Sequence, residues 1–384
     1  MKKFLKLLIL PLIFGIITSG MILNAKADEL ADIKISAQSA YLADVGSKTL
    51  IYAKNEKERL PIASMTKIML LNLAFEKVES GELKLDEEIT VSDRASGMGG
   101  SQVFLESGGI YKAGDLIKSI VIASANDASV AIAERLFGSE ENAVFEMNKK
   151  AADLGLNDTL FSNCTGLNKP TQYSCAKDVA IMLCDLISHK DYFTFASIYT
   201  DEIEHSGGRK TSLTNTNKLV KFYSGCDGGK TGFTSEAGFC LAATAKRGEM
   251  RLVSVVIKES DGKTRFKDVS SMFDYGFSNY ESKTVLDKTV PIEDTVAVTG
   301  GKQAFAEVAP EKKFCVFGKK NRREDIKIVF KPNEKVRAPL KEGDILGIIS
   351  VYKNGVKAGE VKGVCHKKIE AKTYFDYIGD LAGA

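Results

Sequence analysis

The spacing of hydrophobic positions changes several times along the chain, and each change marks an element. The first pattern is a mostly apolar run from Leu5 to Leu23, broken by Pro11, Gly15 and Gly20. Lys2, Lys3 and Lys6 give it a positive start and Ala25-Lys26-Ala27 follows it, which reads as a secretory signal peptide (1–27) cut after Ala27. The run is also near the roughly 18–20 residues that span a bilayer, so an uncleaved anchor is the alternative. Either reading puts the bulk of the protein outside the cytoplasmic membrane. No second run is long and apolar enough to span.

From Ile33 the pattern alternates loosely. Tyr41–Asp44 and Thr49–Tyr52 flank Val45-Gly46-Ser47-Lys48 and predict a β-hairpin. Ile68, Leu71, Phe75 and Val78 then recur at helical spacing, with Met69, Leu70, Leu73 and Ala74 on the other faces. A helix apolar almost all round belongs in a core. Residues 96–109, with five glycines, predict a flexible or turn-rich surface stretch. Ala113–Ala123 and Asp127–Phe137 predict two helices with Ser124-Ala125-Asn126 between them. Phe239–Thr244 and Leu252–Ile257 predict a second hairpin, with a strand just before it, and Asp268–Phe277 a closing helix. Strands at both ends of 28–280 with helices between them predict an α+β unit, one antiparallel sheet flanked by helices.

Beyond Tyr280 the texture becomes short β-like runs: Val290–Val298, Phe314–Phe317, Asp325–Phe330, Ile345–Tyr352 and Gly359–Val364, with a hairpin signal at Lys353-Asn354-Gly355-Val356. These predict a small all-β domain over 281–368. The tail, 369–384, places Tyr374, Phe375, Ile378 and Leu381 at helical spacing. Surface-bound membrane helices are usually basic on their polar face. This tail is short and nearly neutral, so peripheral membrane contact and simple packing are both open.

Composition narrows the class only a little. A formal net charge of +3 gives no reason to expect nucleic acid as a partner. Seven cysteines include no C-x-x-C pair and read as small buried residues. The three histidines are far apart in sequence, so neither a metal site nor a cofactor is expected.

The chemistry lies in three short motifs. Ser64-Met65-Thr66-Lys67 puts a hydroxyl and an amine three residues apart on one helix face, close enough for the amine to take the hydroxyl proton. Alone it is a weak signal, because the spacing recurs at Ser174–Lys177, Ser260–Lys263 and Ser350–Lys353. Only the Ser64 copy precedes both the single Ser-x-Asn, Ser124-Ala125-Asn126, and the single Lys-Thr-Gly, Lys230-Thr231-Gly232. Taken alone, Ser124–Asn126 reads as a helix N-cap and Lys230–Gly232 as a turn. Together, and in order, they supply acyl transfer: Ser64 to attack a carbonyl, Lys67 as base, Ser124 to relay a proton, and Asn126 to hold Lys67 and a substrate amide. Burial, and Lys230 as a second nearby cation, would keep Lys67 neutral, and Lys230 with Thr231 would offer a charge and a hydroxyl to a carboxylate. Gly232 would let a substrate backbone lie close. The N–H groups of Ser64 and Phe233 would form an oxyanion hole.

This motif set is shared by penicillin-binding proteins and class A β-lactamases. The chain resembles the low-molecular-mass penicillin-binding proteins, specifically the serine-type D-alanyl-D-alanine carboxypeptidases. The surrounding blocks 60–67, 124–128, 163–168, 215–217 and 227–234 carry the resemblance through most of 28–275. It implies removal of the terminal D-alanine from peptidoglycan stem peptides, and covalent inhibition by β-lactams. By position it makes Ser64 the acyl-ester nucleophile, Lys67 the base, Ser124 a catalytic hydroxyl, and Lys230 substrate-binding, with Asn126, Thr231, Gly232, Phe233 and Thr234 alongside it. The chain departs from the family pattern at Gln172, where a histidine is expected, and in a shorter, less basic tail.

A β-lactamase is the nearest rival, but class A enzymes need a glutamate to drive water onto the acyl-enzyme, and there is none between Glu146 and Glu202. A D,D-endopeptidase would use the same residues. A non-catalytic wall-binding protein would need a broken motif set.

Overall fold

The computed structural model describes residues 33–382; the expected signal peptide lies outside the described residues. Five strands build one antiparallel sheet. They are β1 (Ser39–Asp44), β2 (Leu50–Lys54), β3 (Cys226–Thr234), β4 (Gly238–Arg247) and β5 (Met250–Glu259), in the order β2-β1-β5-β4-β3. Both ends of the chain segment therefore feed one sheet, with β1 paired to β5 at its centre.

Alternation along β5 shows why helices cover both faces. Val253, Val255 and Ile257 enter a core with α1 (Lys67–Glu79), α2 (Ala113–Ala123), α3 (Asn126–Phe137), α4 (Glu140–Asp153) and α5 (Ala176–Leu186). Leu252 and Val256 enter the opposite core, against Val269, Met272, Phe273 and Phe277 of α6 (Gly262–Asn279). Helix α1 is buried at every position from Lys67 to Phe75, as its all-round hydrophobicity predicts. Helix α6, which closes this part, begins six residues before the expected Asp268, because Asp261 caps it by accepting from the N–H groups of Lys263 and Thr264.

The C-terminal part is all-β apart from its tail. A two-stranded ribbon pairs β6 (Tyr280–Leu286) with β9 (Phe314–Lys319). A five-stranded sheet runs in the order β7 (Thr295–Ala297), β8 (Phe305–Pro310), β12 (Val356–Cys365), β11 (Ile345–Lys353), β10 (Ile326–Pro332). Leu286, Val308, Val316, Ile349, Val351 and Val361 form its core. Tyr280 stacks on Phe317 at 5.1 Å, which ties the ribbon to the end of α6. The turn between β11 and β12 has positive φ at both Asn354 (50°) and Gly355 (79°), as an Asn-Gly hairpin requires.

Two expectations need correction, and two strands went unpredicted. The run Val290–Val298 is strand only at Thr295–Ala297, because Val290 is exposed and Pro291 has no N–H to donate. Strands β6 and β8 carry mixed burial patterns and gave no clear alternation to read. The glycine-rich stretch 96–109 is not merely a surface loop, since Val103 and Leu105 are buried and their N–H groups donate to the Asp127 carboxylate.

Candidate active site

Ser64 sits in a single 3-10 turn, Ala63–Thr66, that leads directly into α1. The i,i+3 geometry brings the Lys67 amine to 3.0 Å from Ser64 Oγ. Ser64 is half-buried, whereas Lys67 is fully buried. Lys67 Nζ also donates to Asn126 Oδ1 at 2.7 Å and to the Thr165 carbonyl at 2.5 Å. A neutral amine satisfies this geometry with two N–H donors and a lone pair facing the Ser64 hydroxyl. Burial pushes Lys67 down to about 7, against the raising influence of Cys164 and Asp127.

The Ser-x-Asn segment does not cap α3. Its N-cap is Ala125, which makes no side-chain capping bond, and Ser124 ends α2 in the left-handed region at φ 63°. Ser124 Oγ is buried and has no hydrogen-bond partner among the described residues. Ala63, beside the nucleophile candidate, is also left-handed, at φ 47°. Non-glycine residues in this region store strain of about 1–3 kcal/mol each and gather at functional sites. Asn126 is held from behind: its N–H donates to the Ser101 carbonyl and its Nδ2 to the Gly99 carbonyl, both at 2.7 Å. The glycine-rich stretch is thus the wall that aims the Asn126 carbonyl oxygen at Lys67.

Lys230, Thr231 and Gly232 lie on β3, the edge strand facing the 3-10 turn. A side chain at Gly232 would put its Cβ 2.5 Å from the Ile62 carbonyl oxygen and 3.3 Å from Ser64 N. The glycine therefore serves a close approach to the chain's own nucleophile turn, not only the approach of a substrate. Lys230 is fully buried, its amine donating to the Thr231 carbonyl at 3.2 Å. Burial, then repulsion from Lys67 and Arg265, holds it well below the usual amine range. Burial, one of the two expected causes, leads for both amines, and repulsion between the two adds to it at Lys230. Thr231 is buried, Phe233 is exposed and packs on Phe239 at 4.3 Å, and Thr234 Oγ1 accepts from Ala237 N in the turn to β4.

The motifs left some residues unread. Arg265 on α6 is half-buried and donates to the carbonyls of Gly232 (3.2 Å) and Cys240 (3.3 Å), while its Nε has no partner among the described residues. Gln172 is buried behind the Thr165 carbonyl. Its Oε1 accepts from Ser162 N and Asn163 N at 3.0 Å, and its Nε2 reaches Thr66 Oγ1 and Asn163 Oδ1 at 3.4 Å. Asn163 Oδ1 in turn accepts from Gly166 N at 2.7 Å. The glutamine thus bridges the nucleophile turn to the loop carrying the lysine's backbone acceptor. Among the described residues, Glu76, Asp185 and His189 have metal-ligand types and spacing, but Lys150 Nζ already bonds Glu76 at 2.6 Å and Asp185 at 2.9 Å.

A serine, a buried amine of lowered pKa, an unpartnered second serine and a cationic strand on this fold are the parts of a serine acyl-transfer enzyme. Residues 24–261 match the family model for D-alanyl-D-alanine carboxypeptidase, and residues 280–371 that for the C-terminal domain of penicillin-binding protein 5. The chain is 38% identical to the D-alanyl-D-alanine carboxypeptidase DacF of Bacillus subtilis, over 92% of this chain and 91% of that protein. The crystal structure of penicillin-binding protein 5 from Haemophilus influenzae superposes with a TM-score of 0.69 at 26% identity, over 89% of this chain and 99% of that one. Penicillin-binding protein D2 of Listeria monocytogenes, solved in its ampicillin-bound form, matches at 31% identity and a TM-score of 0.58, over 64% of this chain and all of that one. The chain belongs to the serine-type D-alanyl-D-alanine carboxypeptidase family, and it is a cell-wall hydrolase with the α+β catalytic fold and all-β C-terminal domain of that family.

Proposed function

We propose that Ser64 forms the acyl-enzyme, with Lys67 as its base. Ser64 Oγ attacks the carbonyl carbon of the penultimate D-alanine of a stem peptide, and its proton passes to Lys67 Nζ. The tetrahedral oxyanion is held by the N–H groups of Ser64 and Phe233, and each such donor typically contributes about 10²–10³ in rate. Ser124, whose hydroxyl has no hydrogen-bond partner among the described residues, carries the proton to the leaving D-alanine amine. Lys230, Thr231 and the Arg265 guanidinium receive the terminal carboxylate, and Asn126 and the strand Gly232–Thr234 hold the peptide. Water then releases the ester. A penicillin acylates the same serine but leaves slowly, because no glutamate lies between Glu146 and Glu202 to activate water.

The observation that carries this reading is the fully buried Lys67 amine, 3.0 Å from Ser64 Oγ and lowered to about 7. Mass spectrometry of D-alanine release from a pentapeptide tests it. Release that penicillin blocks stoichiometrically supports the reading, and rapid penicillin turnover sinks it in favour of a β-lactamase.

The location of the protein follows from the sequence segments around this core. Residues 1–27 export the chain, 28–280 act on the wall and 281–368 form the β-domain. The tail helix α7 (Tyr374–Ala382), with Tyr374, Phe375 and Leu381 exposed, makes peripheral contact with the outer face of the cytoplasmic membrane. Binding of the chain with and without residues 369–384 to lipid vesicles checks that contact; equal binding refutes it.

A further inference from the structure

Charge is divided unequally between the two parts of the molecule. Residues 28–280 carry 29 Lys and Arg against 35 Asp and Glu, whereas residues 281–371 carry 19 against 13. Much of the basic excess is concentrated in one place. Residues 319–331 contain six cations against Glu324 and Asp325. They form the end of β9, the turn after it, and β10, which is the outer edge strand of the five-stranded sheet.

The local structure presents these charges outward. Along β10, Ile326 and Phe330 pack on the domain core, so the alternate positions Lys327 and Lys331 face solvent. At about 3.3 Å per residue the two lysines are about 13 Å apart. At the head of the strand, Arg322 and Arg323 line a hollow of about 150 Å³ with Lys283 and Lys319. The acids of that hollow are already engaged: Glu281 pairs with Lys283 at 2.9 Å and Glu324 with Lys353 at 3.2 Å. Arg322, Arg323, Lys327 and Lys331 make no ion pair among the described residues. Lysines on an edge strand also deter sheet-to-sheet aggregation. That accounts for Lys327 and Lys331, but not for the arginine pair in the turn before them.

We propose that Arg322, Arg323, Lys327 and Lys331 form a docking stripe for a linear polyanion bearing phosphate groups, a polymer of the wall in which this enzyme works. The shape of the stripe favours a polymer over a membrane. The charges follow one strand edge, whereas the exposed apolar tail hangs from the other side of the sheet, where Ala371 bridges Gly301 beside β7. Guanidinium groups match phosphate oxygens in two-pronged geometry, which suits the arginine pair in the hollow. The acidic catalytic part is repelled by the same polymer, which favours docking through the basic edge of the β-domain.

Binding of a fluorescent inorganic polyphosphate chain to the full-length protein, followed by anisotropy across a salt series, tests this. The wild-type affinity should fall steeply with salt, and Arg322→Glu/Arg323→Glu should weaken it at least about tenfold at low salt. Lys327→Glu/Lys331→Glu should weaken it less. Charge-reversed protein that binds polyphosphate like the wild type overturns the proposal. So do phosphatidylglycerol vesicles that bind through the same arginines and resist competition by polyphosphate. Penicillin labelling of the same samples reads the peptidase assignment separately: it should be unchanged in every variant, and its absence in the wild-type protein would indict Ser64 and not the stripe.

Discussion

The catalytic part and the β-domain bury different things. Lys67, Lys230, Asp127, Asn126, Thr66 and Thr231 are all buried in the first. Among the described residues of 281–382, every buried side chain is apolar, and the charges lie on the surface. Burying an amine is costly unless it loses its proton or finds partners. The catalytic part bears that cost twice, at Lys67 on α1 and at Lys230 on β3, and in the proposed mechanism the return is a lysine that acts as a base near neutral pH. The β-domain bears no such cost. Its interior only holds it together, and whatever it recognises must be met from outside.

The sharpest way to break this contrast is at Lys67. Lys67→Arg keeps the charge but cannot act as a base, so acylation by penicillin should fall by about 10²–10⁴. Wild-type acylation in that variant would remove the base assignment. In the β-domain the opposite result is expected. Ile349→Ala empties a fully buried site and should cost about 2–5 kcal/mol of that domain's stability in denaturant titration. Acylation by the folded fraction should not change, and a parallel loss of acylation would show that the two parts are not separable. Gly232→Ala should lower acylation by about 10², since its Cβ must displace the Ile62 carbonyl and with it the Ser64 turn. Gln172→Ala leaves two buried N–H groups without their acceptor and should cost about 1–3 kcal/mol. Stability should also depend on pH. Lys67 has a folded pKa lowered to about 7 from 10.5, so the unfolded chain binds more protons between those values. Its contribution to stability therefore rises with pH across that window and is least favourable below about 7. The acid limb of acylation should share that midpoint, and a limb near 10 would mean that the amine is not desolvated.

Sequence made some of this legible and hid the rest for identifiable reasons. The three motifs were readable because each is short and contiguous, and the sheet was readable where β4 and β5 alternate. The carbonyls of Thr165 and Gly99 were not, because a backbone acceptor carries no residue signature. Arg265 lies 33 residues beyond Gly232 in sequence and meets it only through the packing of α6 against β4. Gln172 stood out in the sequence as a departure from the family pattern, yet its bridge from Thr66 to Asn163 is a tertiary contact. Helices α4 and α5 went unassigned, and Val290–Val298 was read as a strand on hydrophobicity that Pro291 cannot honour.

The central claim is that the chemistry starts at Ser64. Peptide mapping by mass spectrometry after brief exposure to penicillin tests it most directly. One penicilloyl adduct, on the peptide that contains Ser64, and none in Ser64→Ala, is the predicted result. An adduct on any other residue, or undiminished labelling of Ser64→Ala, would contradict it.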